Sequence, residues 1–308
     1  MKKPILTLML GTLMTTATAA QAQVSESCQD VRFAEVGWTD IQATTGMARV
    51  LLDKMGYDTD SKTVSVPIAY AGLKQNDFDV FLGNWMPSMA SIVKPYVESG
   101  AVETVTTNLK GAKYTLAVPS YVAKAGVTSF ADLIKHKSQF HGRIYGLESG
   151  NDGNKIVENM IHDNAFGLRR FRLVASSEAG MLSEVKHAVQ NKEWVIFLAW
   201  APHPMNTKLD ITYLKGGDKY FGPDYGAAVV RTQARKGYVQ ACPNVGHFLN
   251  NLTFTVDMEN HLMDAIMNDH KSAKDAAKAY IAKHPEVLKG WLDGVKNTDG
   301  SPALSRWQ

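Results

Sequence analysis

Apolar and polar positions along this chain form two recurring patterns, one typical of a buried strand and one typical of an amphipathic helix. Residues 31–36 (VRFAEV) have the short apolar run of a strand, and residues 39–55 have the periodicity of a helix that ends at Gly56. Further strands are predicted at 63–66, 78–83, 113–119, 142–148, 170–175, 193–200, 210–214 and 227–230, and further helices at 67–76, 152–164, 176–191, 243–250, 257–269, 272–283 and 285–296. Strands that alternate with helices of this length predict an α/β fold with mainly parallel sheets.

The order of these elements predicts two lobes. The four helices predicted after residue 243 have no sheet of their own, so we expect them to cover a sheet formed by earlier residues. The chain would then cross between the lobes near 109–112 and return near 213–218, which together would form a hinge. Each lobe is expected to be a mainly parallel sheet flanked by helices. The predicted bounds are 23–111 with 215–308 for lobe I, and 112–214 for lobe II.

The first residues have the features of a secretory signal peptide. Residues 1–22 contain two lysines, a short apolar run from Ile5 to Met14 and a small-residue cleavage site at Ala20 to Ala22. The apolar run is about half of the roughly 20 residues that a spanning helix requires. No cysteine follows the predicted cleavage site directly, so no lipid anchor is expected. We predict a protein that is released into the periplasm, without membrane insertion.

Composition and charge argue against a polyanionic partner. The chain is 45% hydrophobic and 20% charged, which is ordinary for a globular protein. Without Lys2 and Lys3 of the signal peptide, 31 basic residues face 30 acidic ones, a net charge of +1. This balance lacks the basic character that nucleic acid or anionic lipid would select. We therefore expect no nucleic-acid partner, and we expect a monomer.

The two cysteines, Cys28 and Cys242, raise the question of a disulfide bond. Two cysteines in an exported protein pair more often than they remain free, although two buried thiols remain the alternative. A bond between them would tie the start of the mature chain to its last quarter, so both segments would have to lie in one lobe. A secreted thiol enzyme, with Cys242 near His247, is the remote alternative.

Three tryptophans lie where predicted strands end. Trp38 follows the strand 31–36, Trp85 follows 78–83, and Trp200 closes 193–200. Ligands of open α/β sheets bind at the carboxyl ends of strands, so these residues are candidates for a shared site. Each could instead be a core anchor, since tryptophan buries well anywhere. The other tryptophans, Trp194, Trp291 and Trp307, are interpreted as packing or surface residues.

Aromatic rings with a nearby carboxylate suit a cation that cannot donate hydrogen bonds. Asp40 follows Trp38 closely in the chain. A quaternary ammonium group spreads its charge over methyl groups, and its favourable partners are the faces of aromatic rings, each contributing roughly 2 kcal/mol when desolvated. Several rings are needed for affinity in the micromolar range, because association itself costs free energy.

At these residues the sequence resembles the quaternary-amine-binding proteins of bacterial ABC importers, and among them the periplasmic choline-binding proteins. The resemblance covers nearly the whole mature chain and is carried by GWTD (37–40), FLGNWMPS (81–88), KYTLAVP (113–119), GLESGNDG (146–153) and FLAWAPHPMN (197–206). It implies a two-lobed periplasmic binding protein fold of type II, a single disulfide bond, and delivery of choline to an importer permease. It places an aromatic box on Trp38, Trp85, Tyr114 and Trp200, with Asp40 beside the ammonium and Asn151 at the other end of the ligand. Tyr114 rests on the resemblance alone.

The choice of ligand depends on Asp40 and on the turn that contains Asn151. A carboxylate beside the site favours a ligand with a net positive charge over a zwitterion, which favours choline over glycine betaine. The turn from Ser149 to Gly153 precedes a predicted helix, whose free N–H groups could instead hold a carboxylate, or could simply be capped. Glycine betaine and carnitine remain the alternative ligands.

Catalytic and metal-binding patterns do not accompany these features. The sequence has no H-E-x-x-H, G-x-S-x-G, Walker or C-x-x-C pattern, and its nine histidines have no convincing ligand spacing. We therefore expect no enzyme activity, no cofactor and no metal. His203 lies near the proposed cleft and could line it, although a structural role beside two prolines is favoured.

Overall fold

The computed structural model describes residues 26–307, so the predicted signal peptide at 1–22 lies outside the described residues. Nine strands form the sheet: β1 Asp30–Glu35, β2 Asp58–Thr63, β3 Val80–Met86, β4 Val102–Pro119, β5 Arg143–Tyr145, β6 Arg172–Val174, β7 Phe197–Ala201, β8 Ile211–Tyr213 and β9 Ala227–Arg235. The longer helices are α1 Thr39–Met55, α2 Val66–Gln75, α3 Ala90–Glu98, α4 Asp152–His162, α5 Glu178–Gln190, α6 Pro243–Asn251, α7 Val256–Met267 and α8 Ala273–Lys283. Shorter helical turns are Glu26–Cys28, Ser120–Lys124, Phe130–His136, Ala165–Arg170, Met205–Lys208, Asp218–Phe221, Pro223–Gly226, Tyr238–Ala241, Val287–Trp291 and Ala303–Trp307.

The strands form one curved sheet in the order β2-β1-β3-β9-β4-β7-β5-β6, with β8 also paired to β4. The outer strands are parallel, because β1 pairs with β2 and β3, and β5 pairs with β6 and β7. The central pairs of β4 with β9 and β7, and of β3 with β9, are antiparallel. We call the part built on β1–β3 the first lobe and the part built on β5–β8 the second lobe. The predicted α/β class is confirmed.

Strand β4 connects the two lobes. Its first part pairs with β9 and its last part pairs with β7 and β8, so Lys113 faces both neighbours. The pairing of β4 with β9 shifts between Leu109 and Ala112, where Gly111 has a φ of +77° that only glycine adopts easily. The segment predicted for the first crossing, 109–112, thus lies within one continuous, irregular strand.

The C-terminal helices cover the first lobe. Helix α1 packs against α7 and α8, and a Cβ at Gly46 would lie 2.7 Å from the Cβ of Ala273, so glycine permits this close approach. The disulfide bond between Cys28 and Cys242 ties the segment before β1 to the segment before α6, and no described cysteine is free. The predicted pairing of the cysteines is confirmed.

Two elements at the edge and surface of the fold differ from the sequence prediction: strand β2 was misplaced and helix α3 was missed. The strand expected at 63–66 is β2 at Asp58–Thr63, and Val66 instead begins α2. β2 is an edge strand whose side chains are mostly exposed, so it lacks the apolar pattern by which buried strands are identified. Helix α3 was not predicted, and it buries fully only Val93.

Candidate ligand-binding site

A cavity with about 250 Å³ of empty space lies between the two lobes, at the carboxyl ends of β1 and β3. The residues that line it are mainly aromatic and acidic: Trp38, Asp40, Trp85, Tyr114, Leu147, Asn151, Asp152 and Trp200. None of these described lining residues is cationic. The cavity therefore suits a small ligand that contacts aromatic rings.

The first lobe contributes Trp38, Asp40 and Trp85. β1 ends at Glu35, and the extended backbone of Trp38 precedes the first turn of α1, which contains Asp40. Trp85 lies near the end of the parallel strand β3, so the same edge of the sheet presents both tryptophans. The Nε1–H of Trp85 donates to Asp40 Oδ2 at 3.0 Å, while Asp40 Oδ1 has no partner among the described residues. One oxygen of this buried carboxylate is thus free to face a ligand.

Tyr114 and Trp200 complete the aromatic wall. They are paired across the antiparallel strands β4 and β7, which holds their rings 6.4 Å apart at an angle of 87°. The ring of Tyr114 also lies 5.9 Å from the ring of Trp85, at an angle of 59°. All four rings of the predicted box are buried. A shared enclosure of this kind is what a cation without hydrogen-bond donors requires.

The N-terminus of α4 closes the other end of the cavity. Asn151 precedes the helix, and its Oδ1 accepts from the backbone N–H of Asn154 at 3.0 Å and from the Tyr114 hydroxyl at 3.1 Å. Its Nδ2 has no partner among the described residues, and neither do the two carboxylate oxygens of Asp152. This end therefore offers a free hydrogen-bond donor beside free acceptors, which matches a hydroxyl group that can accept and donate.

The carboxyl groups of the cavity are harder to ionise than exposed ones. Burial, assisted by repulsion from Glu178, raises the pKa of Asp40 to about 7. Burial also raises the pKa of Asp152 to about 6, although the Ser88 hydroxyl and the backbone N–H groups of Asp152 and Gly153 partly offset it. A cation in the cavity would favour the ionised forms of both groups, so the electrostatics of the site favour positive charge.

All six site residues predicted from the sequence line this one cavity, and two residues were missed. Leu147 was not selected because a single leucine in a loop carries no chemical signal. Asp152 lies in the turn from Ser149 to Gly153, where the sequence pattern indicates only the start of a helix. An acidic residue in the first turn of a helix usually faces solvent, and Asp152 is buried, which only the tertiary structure reveals.

The other three tryptophans, and the further candidates His203 and Cys242, lie outside the cavity lining. Trp194 packs between His136 and Phe140, with ring centroids 5.3 Å away in each case. Trp291 is buried, and Trp307 lies beneath the ammonium group of Lys54. His203 is fully buried and hydrogen-bonds Glu178 at 3.1 Å, so the favoured structural role holds for it. The disulfide leaves no thiol at Cys242, which removes the thiol-enzyme alternative.

Two further features bear on the class of protein. None of the helices within residues 26–307 combines the length and the hydrophobicity that a membrane span requires. In the same residues, no group of three or more His, Cys, Asp or Glu side chains could hold a metal ion.

Comparison with known proteins identifies close relatives. The model of the family described as the substrate-binding domain of ABC-type glycine betaine transport systems matches residues 29–283. An ABC-transporter choline-binding protein in complex with choline is 48% identical, with a TM-score of 0.90 over 91% of this chain and 97% of that chain. An ABC-transporter choline-binding protein in an unliganded, semi-closed conformation is also 48% identical, with a TM-score of 0.85 over 92% and 98% of the two chains. The glycine betaine/carnitine transport binding protein of Listeria monocytogenes is 29% identical over 162 residues, 53% of each chain.

These relatives are transport proteins and not enzymes, as the sequence predicted. Their fold also confirms the two-lobed periplasmic binding protein fold of type II. The family model spans most of the chain, and the relatives of known structure cover nearly all of it. The chain therefore belongs to the exported substrate-binding proteins of ABC transporters, in the family of the glycine betaine systems.

Proposed function

We propose that this protein captures choline in the periplasm and delivers it to the permease of an ABC importer. The observation that carries the proposal is the cavity itself, in which four buried aromatic rings and the carboxylate of Asp40 surround a space for a small ligand. Trp38, Trp85, Tyr114 and Trp200 would contact the trimethylammonium group, and Asp40 would balance its charge. The two solved choline-binding relatives support this choice of ligand.

Choline is favoured over glycine betaine by the charges at the far end of the cavity. The hydroxyl of choline could accept from Asn151 Nδ2 and donate to Asp152, both of which lack partners among the described residues. The carboxylate of glycine betaine would meet Asp152 instead, and no described lining residue is a cation that could pair with it. The Asp152 carboxylate lies in the first turn of α4, so its negative charge would repel a ligand carboxylate placed there.

Capture would proceed by closure of the lobes over the ligand. Residues 23–111 and 215–308 would move as lobe I and residues 112–214 as lobe II, with β4 among the connections between them. Closure would complete the box, because Trp38 and Trp85 belong to one lobe and Trp200 to the other, so the ligand binds the closed state more tightly. The closed form would dock on the permease as a monomer, after the signal peptide at 1–22 has been removed.

The proposal is tested by calorimetric titration of refolded, ligand-free protein. Choline, glycine betaine and carnitine are compared side by side, and 3,3-dimethyl-1-butanol serves as a neutral molecule with the shape of choline. We expect choline to bind most tightly. The neutral molecule should bind very weakly, because it has no positive charge to interact with the aromatic rings or with the Asp40 carboxylate.

Each result distinguishes between candidates. If glycine betaine or carnitine binds more tightly than choline, that compound is the ligand and the protein has a different substrate within the same family. Equal binding of choline and its neutral analogue would contradict the cation site. A protein-interaction module without a small ligand would give no change in tryptophan fluorescence with any quaternary amine.

A further inference from the structure

A buried carboxylate of the second lobe hydrogen-bonds the first lobe directly beside the cavity. Glu178, the first residue of α5, accepts from the backbone N–H of Thr39 at 2.8 Å through Oε2. Its Oε1 accepts from the Thr39 hydroxyl at 2.7 Å. Both residues are buried, and Glu178 is outside the cavity lining. These hydrogen bonds therefore join the two lobes through residues that do not line the cavity.

The position of Thr39 makes this contact selective for one arrangement of the lobes. Thr39 begins α1, so its backbone N–H lacks a partner within the helix, and the positive end of the helix dipole favours a carboxylate there. It also lies between two cavity residues, Trp38 and Asp40. Any movement of the lobes that separates Glu178 from Thr39 would also move apart the walls of the cavity.

His203 holds the Glu178 carboxylate in place. The backbone N–H of Met205 donates to His203 Nδ1 at 2.9 Å, so the ring proton is on Nε2, which donates to Glu178 Oε1 at 3.1 Å. The ring of His203 also lies 4.8 Å from that of Trp200, at an angle of 74°. The carboxylate, the histidine and a wall of the cavity are thus packed as one unit within the second lobe.

A second contact of the same kind lies one residue earlier. Trp38 Nε1 is 3.0 and 3.1 Å from the two carboxylate oxygens of Glu148, which follows β5 in the second lobe. Consecutive residues of the first lobe are therefore held by two different carboxylates of the second lobe. Neither carboxylate lines the cavity, but Glu148 holds the indole of Trp38, an aromatic wall residue, whereas Glu178 holds Thr39, which is outside the lining.

We propose that Glu178 is a positioning residue that stabilises the closed state by accepting two hydrogen bonds from Thr39 of the other lobe. We call this Glu178–Thr39 contact the latch. The inference rests on the proposed function, because it assumes that the closed state is the one that retains choline. The latch forms only when the lobes meet as they do here. It should therefore slow the release of the ligand and leave its entry into the open form unchanged.

The experiment compares Glu178→Ala with Glu184→Ala as a matched control. Glu184 lies on the same helix and is exposed, where it accepts from the Tyr145 hydroxyl. Dissociation rates for choline and for tetramethylammonium are measured by stopped-flow tryptophan fluorescence. Small-angle X-ray scattering gives the compactness of each protein with and without saturating choline.

For Glu178→Ala we expect dissociation roughly tenfold to a hundredfold faster, as loss of hydrogen bonds to a charged group implies, with association changed less than about twofold. The factor should be the same for both cations, because Glu178 does not touch the ligand. Choline-saturated Glu178→Ala should scatter as a less compact particle than the control, and the ligand-free proteins should scatter alike. A merely structural role would not produce this difference confined to the bound state.

A second pair of variants keeps the test decisive if Glu178→Ala does not fold. Thr39→Val removes the hydroxyl donor and keeps the shape, and Thr39→Ser retains the donor. Faster release from Thr39→Val than from Thr39→Ser supports the latch, and equal release rates overturn it. Unchanged release from a folded Glu178→Ala also overturns it. Failure of the wild type and the control to bind choline would instead refute the proposed function.

Discussion

Acidification should weaken choline binding, because Asp40 must be ionised to balance the charge of the cation. With the lobes arranged as in this structure, burial followed by repulsion from Glu178 raises the pKa of Asp40 from 3.8 to about 7. The group is therefore largely ionised at pH 8 and largely protonated at pH 5. A protonated carboxyl carries no charge, so the affinity should be highest above pH 7 and should fall as the pH falls through this value.

The size of the effect follows from the same pKa. At two pH units below it, roughly 1% of the molecules carry an ionised Asp40, so the affinity should fall about 100-fold between pH 8 and pH 5, which corresponds to about 2.7 kcal/mol. Asp152, whose pKa burial raises to about 6, should steepen the loss below pH 6. Burial raises the pKa of Glu148 as well, and that of Glu259 well above its ordinary value, so their protonation would reduce the negative potential further.

Isothermal titration between pH 5 and pH 8.5, in two buffers with different ionisation enthalpies, measures both the affinity and the number of protons released. We expect release of about one proton per choline near pH 6. Asp40→Asn keeps the size of the side chain and an oxygen acceptor for Trp85, so it should bind choline more weakly at pH 8 and show a much flatter pH profile. A wild-type affinity that is constant from pH 5 to pH 8, without proton release, would refute the role assigned to Asp40.

The remaining predictions concern the box, its packing and the covalent cross-link. Trp85→Ala should lower choline affinity at least about 30-fold in a calorimetric titration, since one desolvated ring contributes roughly 2 kcal/mol, and equal losses for Trp194→Ala would contradict the box. Gly153→Ala should lower affinity about tenfold or more, as overpacking of about 1–3 kcal/mol implies, because the added Cβ would lie 2.0 Å from the Tyr114 hydroxyl. Gly290→Ala, whose Cβ meets nothing within 4 Å, should leave the affinity unchanged. Reduction of the disulfide, which joins cysteines 214 positions apart in the chain, should lower the free energy of unfolding by roughly 2–5 kcal/mol in chemical denaturation. Choline affinity measured below the unfolding transition should persist, and its loss would show that the bond shapes the site.

Much of the fold was predictable because buried elements carry strong patterns. Helix α1 spans Thr39–Met55 as predicted and ends at Gly56, whose left-handed backbone satisfies the last turn. Strand β2 was misplaced because an edge strand exposes most of its side chains and so has no apolar alternation. The two parts of β4 were not recognised as one strand. Its first part has apolar residues at Val102, Val105 and Leu109, a spacing without the alternation of a half-buried strand, and it is defined by pairing with β9.

The sequence by itself determined which residues could form an aromatic site. Tryptophans at the ends of buried strands are placed at one edge of a sheet by strand geometry, which is local and periodic, and this sufficed for Trp38, Trp85 and Trp200. Assigning Tyr114 to the site required either resemblance to a known family or the structure, because its place beside Trp200 depends on the register between β4 and β7.

Only the tertiary structure decided the electrostatics of the site and the contacts between the lobes. The pKa of Asp40 and the free oxygens of Asp152 depend on burial by residues distant in the chain. Glu178 is 139 residues from Thr39, and nothing in its helical pattern distinguishes it from an exposed glutamate such as Glu184. Periodicity reports which face of an element is apolar. It carries no information about which polar group of one lobe meets which group of the other, because those contacts are set by the packing of the whole chain.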